Sequence, residues 1–194
     1  MGSVADKVVR ASKTPVWLVR AGIPDEIVYD RWPKKTILVP LDGSELGEAV
    51  LPHVEALAKQ RGNERVDVVL LTVCEPPAMP AYYPPSAQFE TPTGAVHVEP
   101  QEYMRLATER CRRLSEHYLA GVVKRLADAG LNVSSEVLRG KAADEIVGYA
   151  REHPFNLIVM ATHGRSGLRR WAYGSVTAKV LQGVSSPLLL VRSY

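Results

Sequence analysis

One loop of the sequence has the residue types and the spacing to bind a phosphate group. The stretch MATHGRSGLRRWAYGSVTAKVL carries Gly164 just after an apolar run and Gly174-Ser175 just before a helical pattern. Glycine lets backbone N–H groups approach an anion closely, and the positive end of a helix favours phosphate. Ser175 can donate to a phosphate oxygen, or it can simply cap the helix. The residues alone leave both interpretations open.

The elements that must position this loop alternate along the chain. Short apolar runs predict strands, and amphipathic segments between them predict helices. Strands that alternate with helices favour a parallel sheet covered on both faces, so we predict an α/β fold. Predicted strands cover 36–41, 66–73, 131–140, 156–161 and 187–192, and predicted helices cover 45–61 with a kink at Pro52, 101–129, 141–153 and a segment beginning at Ser175.

The ends of the predicted strands indicate where a ligand would bind. In open parallel sheets ligands lie beyond the carboxyl ends of the strands. The places to inspect are therefore Asp42-Gly43-Ser44, the residues around Val73 and the loop after Ala161. The third predicted strand alternates polar and apolar residues, so we expect it near the sheet edge. The segment from Glu75 to Pro100 is rich in proline and has no sustained period, which predicts a lid, a binding loop or a disordered excursion.

Composition excludes several classes of protein. The chain has 194 residues, 46% hydrophobic and 23% charged, with a formal net charge of +3, which fits one globular domain and gives no support for nucleic-acid binding. No apolar stretch approaches the roughly 18 residues of a membrane span, and no secretory signal opens the chain, so we predict a cytoplasmic protein and no membrane partner. Cys74 and Cys111 are too few and too isolated for a disulfide framework, and we expect two buried or inert thiols.

Familiar catalytic and metal-binding motifs are missing. The sequence holds no GxxxxGK[ST] loop and no GxSxG elbow, and its five histidines are scattered without zinc-like spacing. We therefore assign no catalytic residue and no metal ligand, and we expect an ATP-dependent enzyme only as the weakest alternative.

The phosphate loop, together with VPLDGS (Val39 to Ser44) and the strand VVLLTV, resembles the universal stress protein family. Its ATP-binding members carry a glycine, two residues, a second glycine, nine residues, then glycine followed by Ser or Thr. Gly164 and Gly174-Ser175 match, whereas Ala161 stands where the first glycine would be. The likeness runs from about Lys35 to Arg192. It implies a Rossmann-like, five-stranded parallel open twisted sheet with helices on both faces.

The resemblance also implies a role for each matched position. Asp42 would accept from the ribose hydroxyls or the adenine edge, although it could instead cap the following helix. Ala161 closes a β run, where a small side chain beside the ribose is tolerable. Val73 could be core only, and His163 could face solvent. The implied nucleotide-binding residues are Pro40, Leu41, Asp42, Thr72, Val73, Met160, Ala161, His163, Gly164, Gly174, Ser175, Val176 and Thr177.

The two ends of the chain are alike. GSVADKVVRASKTPVWLVR at the start is identical to GSVTAKVLQGVSSPLLLVR near the end at nine positions without a gap. We interpret residues 1–20 as the last helix and strand of a preceding domain, 21–34 as a linker and 35–194 as a complete domain. Family dimers commonly pair their last strands, so we predict a homodimer and docking of Thr14–Arg20 on a Pro187–Arg192 strand, in the same chain or in a neighbour. A disordered leader is the alternative.

The function that these features favour is nucleotide-dependent regulation. The resemblance implies binding of ATP, or of AMP or ADP, with Mg²⁺ carried by the phosphates, and at most slow hydrolysis. The alternative is a dimeric interaction scaffold of the same fold that binds no nucleotide.

Overall fold

The described part of the chain contains nearly all of the predicted elements. A computed structural model describes residues 7–9, 11–23, 34–75, 88–91, 94–97, 100–162 and 174–192, with backbone alone at 88–91, 94–97 and 100. The strands are β1 Val16–Leu18, β2 Lys35–Pro40, β3 Val66–Cys74, β4 Gln88–Thr91, β5 Gly94–His97, β6 Asn132–Arg139, β7 Leu157–Ala161 and β8 Leu188–Val191. The helices are α1 Glu45–Glu48, α2 Leu51–Arg61, α3 Pro100–Asp128, α4 Ala142–Glu152 and α5 Ser175–Gly183, with a short 3₁₀ turn at Asn63–Arg65.

The main sheet has six strands in the order β1-β8-β7-β2-β3-β6. Five of these strands run parallel, and β6 lies at one edge, so the predicted parallel sheet and the edge position of its third strand are confirmed. The connection after β2 leads to β3 on one side, and the later strands β7 and β8 lie on the other side. This reversal beside β2 is the place where open α/β sheets bind ligands.

The sixth strand, β1, pairs antiparallel with β8 of the same chain. Val16 lies opposite Leu190, and Leu18 lies opposite Leu188. The docking predicted for Thr14–Arg20 is therefore observed for Val16–Leu18, the centre of that segment, and the partner strand belongs to the same chain. Val9, from the helical residues that precede β1, is 4% exposed and packs in the core. Docking buries Val9 and half-buries Val16 and Leu18, whereas Trp17 stays 50% exposed.

Helices cover both faces of the sheet. On one face α2 and α3 pack on the strands through residues such as Val54, Leu126 and Leu70. On the other face α4 and α5 pack through residues such as Ile146, Val180 and Ile158. Because both faces are covered, β7 is apolar throughout and β2 is apolar from Ile37 to Pro40, as the sequence predicts for central parallel strands.

The helix predicted over 45–61 is two helices. α1 ends at Glu48 and α2 begins at Leu51, so the break precedes the predicted kink at Pro52. Pro52 lies in the first turn of α2, where a missing N–H costs nothing. The proline therefore marks a helix start.

The segment from Glu75 to Pro100 contains regular structure that the sequence analysis missed. β4 and β5 form an antiparallel hairpin in which Gln88 lies opposite His97 and Thr91 lies opposite Gly94. Each strand has only four residues, too few for a sustained alternating pattern.

The expectation of two free thiols is wrong, since Cys74 and Cys111 form a disulfide. Cys74 ends β3, and Cys111 lies in the first half of α3, 37 residues later. Their separation in sequence hides the contact, because α3 returns over the sheet and passes the end of β3. None of the helices described for this chain has the length and apolar character needed to cross a membrane.

Candidate functional site

A cavity of about 440 Å³ lies at the carboxyl edge of the sheet, beside the reversal at β2. The ends of β2, β3 and β7 form its floor, and the amino ends of α4 and α5 form one wall. Its size is within the range of small-molecule sites. Its described lining is Pro40, Leu41, Asp42, Gly47, Leu71, Val73, Glu75, Ala142, Ile146, Met160, Ala161, Gly174, Ser175, Val176 and Thr177.

Most of the residues implied by the family resemblance meet at this cavity. The sequence places them at three separate strand ends and one helix start, and the fold brings them together. Thr72 is placed differently: it is 5% exposed, and its hydroxyl donates to the Leu41 carbonyl at 3.0 Å, below the cavity floor. His163 and Gly164, with Arg165, Arg169 and Arg170, lie outside the described residues.

Asp42 organises the turn that follows β2. Its Oδ1 accepts hydrogen bonds from the Ser44 backbone N–H at 3.1 Å and from Ser44 Oγ at 2.6 Å. Ser44 is the N-cap of α1, and its Oγ accepts from the Gly47 N–H at 3.0 Å. Asp42 therefore holds the capping residue in place, and Ser44 does the capping that the sequence left open for Asp42.

Gly47 makes room for the Asp42 carboxylate. A Cβ added at Gly47 would lie 2.6 Å from Asp42 Oδ1, far inside contact distance. Any larger residue at this position would displace either α1 or the carboxylate. Sequence reasoning missed Gly47; a glycine five residues after a strand-end aspartate, within the first turn of a helix, was the available signal.

The amino end of α5 has no side-chain cap among the described residues. Its N-cap is Gly174, and Ser175 is the first helical residue, so Ser175 does not cap the helix. Gly174 has an ordinary φ of −68°, and a Cβ there would lie 3.8 Å from its nearest described neighbour, the Thr162 carbonyl oxygen. Neither backbone strain nor crowding by these residues calls for glycine at this position. Close approach of a ligand to the backbone would favour glycine at this position.

Two hydrogen bonds fix the start of α5 against the end of β7. The Gly174 N–H donates to the Thr162 carbonyl at 2.7 Å, and Thr177 Oγ1 donates to the Ala161 carbonyl at 3.1 Å. The Thr177 hydroxyl therefore makes a structural contact. The helix start is held rigidly over the cavity, with the N–H groups of its first turn directed past Gly174.

Ala161 is the last residue of β7 and pairs with Val191. Its strand conformation agrees with the expected negative φ, so the change from glycine carries no left-handed strain. The methyl group lines the cavity between Met160 and the start of α5.

The sequence analysis also missed the wall formed by α4. Ala142 and Ile146 line the cavity from the first two turns of this helix, and Glu75 lines it from the end of β3. Glu75 Oε1 accepts from the Ala142 N–H at 3.2 Å, which supplies the cap that the N-cap residue Lys141 does not. Helices that follow parallel strands all begin at the same edge of the sheet, and that rule could have pointed to Ala142.

The described lining is apolar with negative charge at two points, Asp42 and Glu75, and carries no cationic side chain. Burial first, then the carboxylates of Glu48 and Asp42, raise the pKa of the nearby Tyr118 hydroxyl. Positive potential on this lining comes from the amino end of α5. No set of three His, Cys, Asp or Glu side chains in the described ranges could hold a metal ion.

Comparison with known proteins gives a consistent result. The model of the universal stress protein family matches residues 34–192. Universal stress protein MJ0577 of Methanocaldococcus jannaschii is 27% identical over 160 residues, 81% of this chain and 94% of that protein. Its solved structure has a TM-score of 0.65 and 24% identity, over 84% of this chain and 99% of that one.

Two further relatives differ in what they cover. A universal stress protein of Mycolicibacterium smegmatis is 27% identical over 197 residues, which is 99% of this chain and 56% of that protein. A universal stress protein family protein of Arabidopsis thaliana, solved with AMP bound, has a TM-score of 0.53 and 15% identity, over 82% of this chain and 92% of that one. The structural matches show a shared fold.

Proposed function

This chain belongs to the universal stress protein family, and on that premise we propose that it binds an adenine nucleotide in the cavity at the carboxyl edge of its sheet. ATP is the proposed ligand, with AMP and ADP as weaker ones, and the bound state would regulate the contacts of the protein during stress. The observation that carries the proposal is that one cavity is lined both by a helix start with no side-chain cap among the described residues and by a strand-end carboxylate. The AMP bound to the Arabidopsis relative supports the same ligand class.

The base and ribose fit the apolar half of the cavity. Leu41 and Val73 lie at adjacent strand ends, and Ile146 faces them from α4. Such a slot suits a flat, weakly polar ring. Asp42 lies beside it, with Oδ1 engaged by Ser44, and the carboxylate would accept a hydrogen bond from a ribose hydroxyl.

The phosphates fit the other half. Ser175, Val176 and Thr177 form the first turn of α5, and no described side chain caps their N–H groups. The helix dipole favours anions at this end. Gly174 would allow phosphate oxygens to approach its backbone closely. Mg²⁺ would bind the phosphate oxygens and waters, as it commonly does when few protein carboxylates are at hand.

We propose binding with, at most, slow hydrolysis. The residues placed at the cavity are suited to holding a ligand: apolar side chains, two strand-end carboxylates and backbone amides. The proposed compartment remains the cytoplasm, and residues 1–20 remain, as a proposal, the end of a preceding domain. The Mycolicibacterium relative, of which this chain spans 56%, supports that proposal.

Any dimer, including the dimeric scaffold of the alternative, has to accommodate one observation, the occupied edge of β8. A homodimer that pairs β8 with β8 would have to displace β1, which already pairs there. We therefore propose that a dimer of this chain exchanges β1, so that β1 of each copy lies on β8 of the other. Light scattering of the purified protein tests this, and a monomer at all concentrations would contradict it.

Isothermal titration calorimetry with ATP and Mg²⁺ tests the nucleotide proposal. We expect saturable heat that fits one site, and loss of most of that heat in Asp42→Ala. Glu45→Ala is the matched control, because it removes a neighbouring carboxylate that does not line the cavity. No heat with the wild-type protein, and no adenine absorbance released on its denaturation, would leave the scaffold as the better account.

A further inference from the structure

Helix α3 is anchored to the domain unevenly along its length. Its 29 residues extend for about 43 Å, longer than the strands that it covers. The buried residues of α3 are Leu119, Val122 and Leu126, all in its second half. In the first half, Leu106 is 46% exposed and Leu114 is 60% exposed. Packing therefore holds the second half more firmly than the first.

The ion pairs described for the first half do not anchor it to the sheet. Glu102 pairs with Arg105, and Arg112 pairs with both Glu109 and Glu116, all within the same helix. Such pairs stabilise helical structure by a few tenths of a kcal/mol each and do not fix the position of a helix on a sheet. Cys111 is the residue of this half that is joined covalently to the sheet, through Cys74.

The disulfide joins the sheet at the end of β3, next to the candidate nucleotide cavity. Cys74 lies between Val73 and Glu75, and both neighbours line the candidate nucleotide cavity. The Cys74 carbonyl accepts from the Gly140 N–H at 3.1 Å, and Glu75 Oε1 accepts from the Ala142 N–H. The position of this short segment therefore sets both the end of β3 and the start of α4, two sides of the same cavity.

We propose that the Cys74–Cys111 disulfide is a redox-sensitive tether that orders this side of the cavity and so couples the oxidation state of the protein to ligand affinity. Disulfides in cytosolic proteins are rare and, where present, are often redox-sensing. The affinity part of the proposal rests on the proposed nucleotide function. The ordering part does not.

The chemistry is a thiol–disulfide exchange with a cellular dithiol. One thiolate of the dithiol attacks the Cys111 sulfur, which is half-buried, whereas Cys74 is 2% exposed. The Cys74 thiolate leaves, and the second thiol of the reductant then attacks the mixed disulfide. The tether gains two electrons and two protons and becomes two thiols, and the reductant becomes a disulfide. Reoxidation reverses each step.

Hydrogen exchange read by mass spectrometry, on oxidised and dithiothreitol-reduced protein without nucleotide, tests the ordering directly. We expect reduction to speed exchange in 102–116 and at the lining amides Glu75 and Ala142, while Leu126 and the centre of β2 stay protected. Cys111→Ser should match the reduced protein and should not respond further to dithiothreitol. Unchanged exchange at Glu75 and Ala142, or alkylation of both cysteines in air-oxidised protein without reductant, would overturn the proposal.

Calorimetry with ATP and Mg²⁺ on the same samples tests the coupling. We expect the dissociation constant to rise by roughly 5-fold or more on reduction, the lower range of typical coupling between sites. If the oxidised protein binds ATP and reduction changes its affinity less than twofold, the coupling is wrong. If neither state binds ATP, the proposed function fails, and the exchange data still decide whether the tether orders the segment.

Discussion

Helices α1 and α5 both begin at the cavity, and their amino ends differ in how their N–H groups are capped. α1 starts at Ser44, whose Oγ accepts from the Gly47 N–H and donates to Asp42. α5 starts at Gly174, with no side-chain cap among the described residues. A side chain of this protein caps the first helix, whereas no described side chain accepts from the N–H groups that open the second. The difference indicates which helix start would receive an anion and which merely shapes the wall.

The largest effect should come from giving α5 the kind of cap that α1 has. Gly174 has the extended backbone of an N-cap residue, so Gly174→Asp can cap the helix. Its carboxylate would occupy the position of a phosphate and repel the ligand. We expect the affinity for ATP to fall by about 100-fold, as expected from losing charge-assisted hydrogen bonds, while thermal stability stays equal or rises slightly. Calorimetry and thermal unfolding measure both.

Gly174→Asn separates the charge from the cap. Asparagine caps a helix about as well as aspartate and carries no charge. We expect it to weaken ATP binding less than Gly174→Asp does. Unaltered ATP affinity in Gly174→Asp would show that phosphates do not approach the start of α5.

The next effect concerns the carboxylate on the α1 side. Asp42→Ala removes the proposed ribose acceptor and frees Ser44, so we expect a loss of roughly 10-fold to 30-fold in affinity for ATP. Asp42→Asn keeps an acceptor for Ser44 and should recover part of the stability but little of the affinity. Equal affinities in Asp42→Ala and wild type, by calorimetry, would remove Asp42 from the site.

The sequence predicts this arrangement only in part, for physical reasons. The ends of the strands can be predicted from the sequence, because the apolar runs stop abruptly near residues such as Asp42 and Ala161. The sequence does not show which helix start has a side-chain cap, because Ser44 and Ser175 both lie at the beginning of a helical pattern. One backbone step separates an N-cap from a first helical residue, and periodicity does not resolve one step.

A smaller effect should follow from removing the α1 cap alone. Ser44→Ala takes away the acceptor for the Gly47 N–H, which costs about 1 kcal/mol of stability for a typical N-cap. Urea denaturation should show this loss, and ATP affinity should change less than threefold, since Ser44 does not line the cavity. A loss of binding as large as that of Asp42→Ala would mean that the turn, and not the carboxylate, makes the site.

Contacts between distant segments are the other part that sequence reasoning misses. The Cys74–Cys111 bond and the wall formed by Glu75 and Ala142 depend on how helices lie over the sheet. Those positions result from packing of side chains that are far apart in the chain. The docking of β1 is predictable because its sequence repeats that of β8 and because an isolated strand is stable only when it pairs or packs with other structure.

The smallest effect is a pH dependence beside α1. Burial, followed by the carboxylates of Glu48 and Asp42, raises the pKa of Tyr118 above its ordinary value near 10. The folded protein therefore keeps the proton more tightly than the unfolded chain, and stability falls as pH rises above about 10. Urea midpoints from pH 8 to 11 should decline less steeply in Tyr118→Phe. Parallel declines in variant and wild type would contradict this.

The most direct test of the central claim is an amide NMR titration that compares ATP with adenosine, each with Mg²⁺. We expect the amide signals of residues around Leu41, Asp42 and Val73 to shift with both ligands. We expect the amide signals of Ser175, Val176 and Thr177 to shift strongly with ATP and hardly with adenosine. If those three amide signals stay unshifted at saturating ATP, the start of α5 is not a phosphate site and the proposed nucleotide site is wrong.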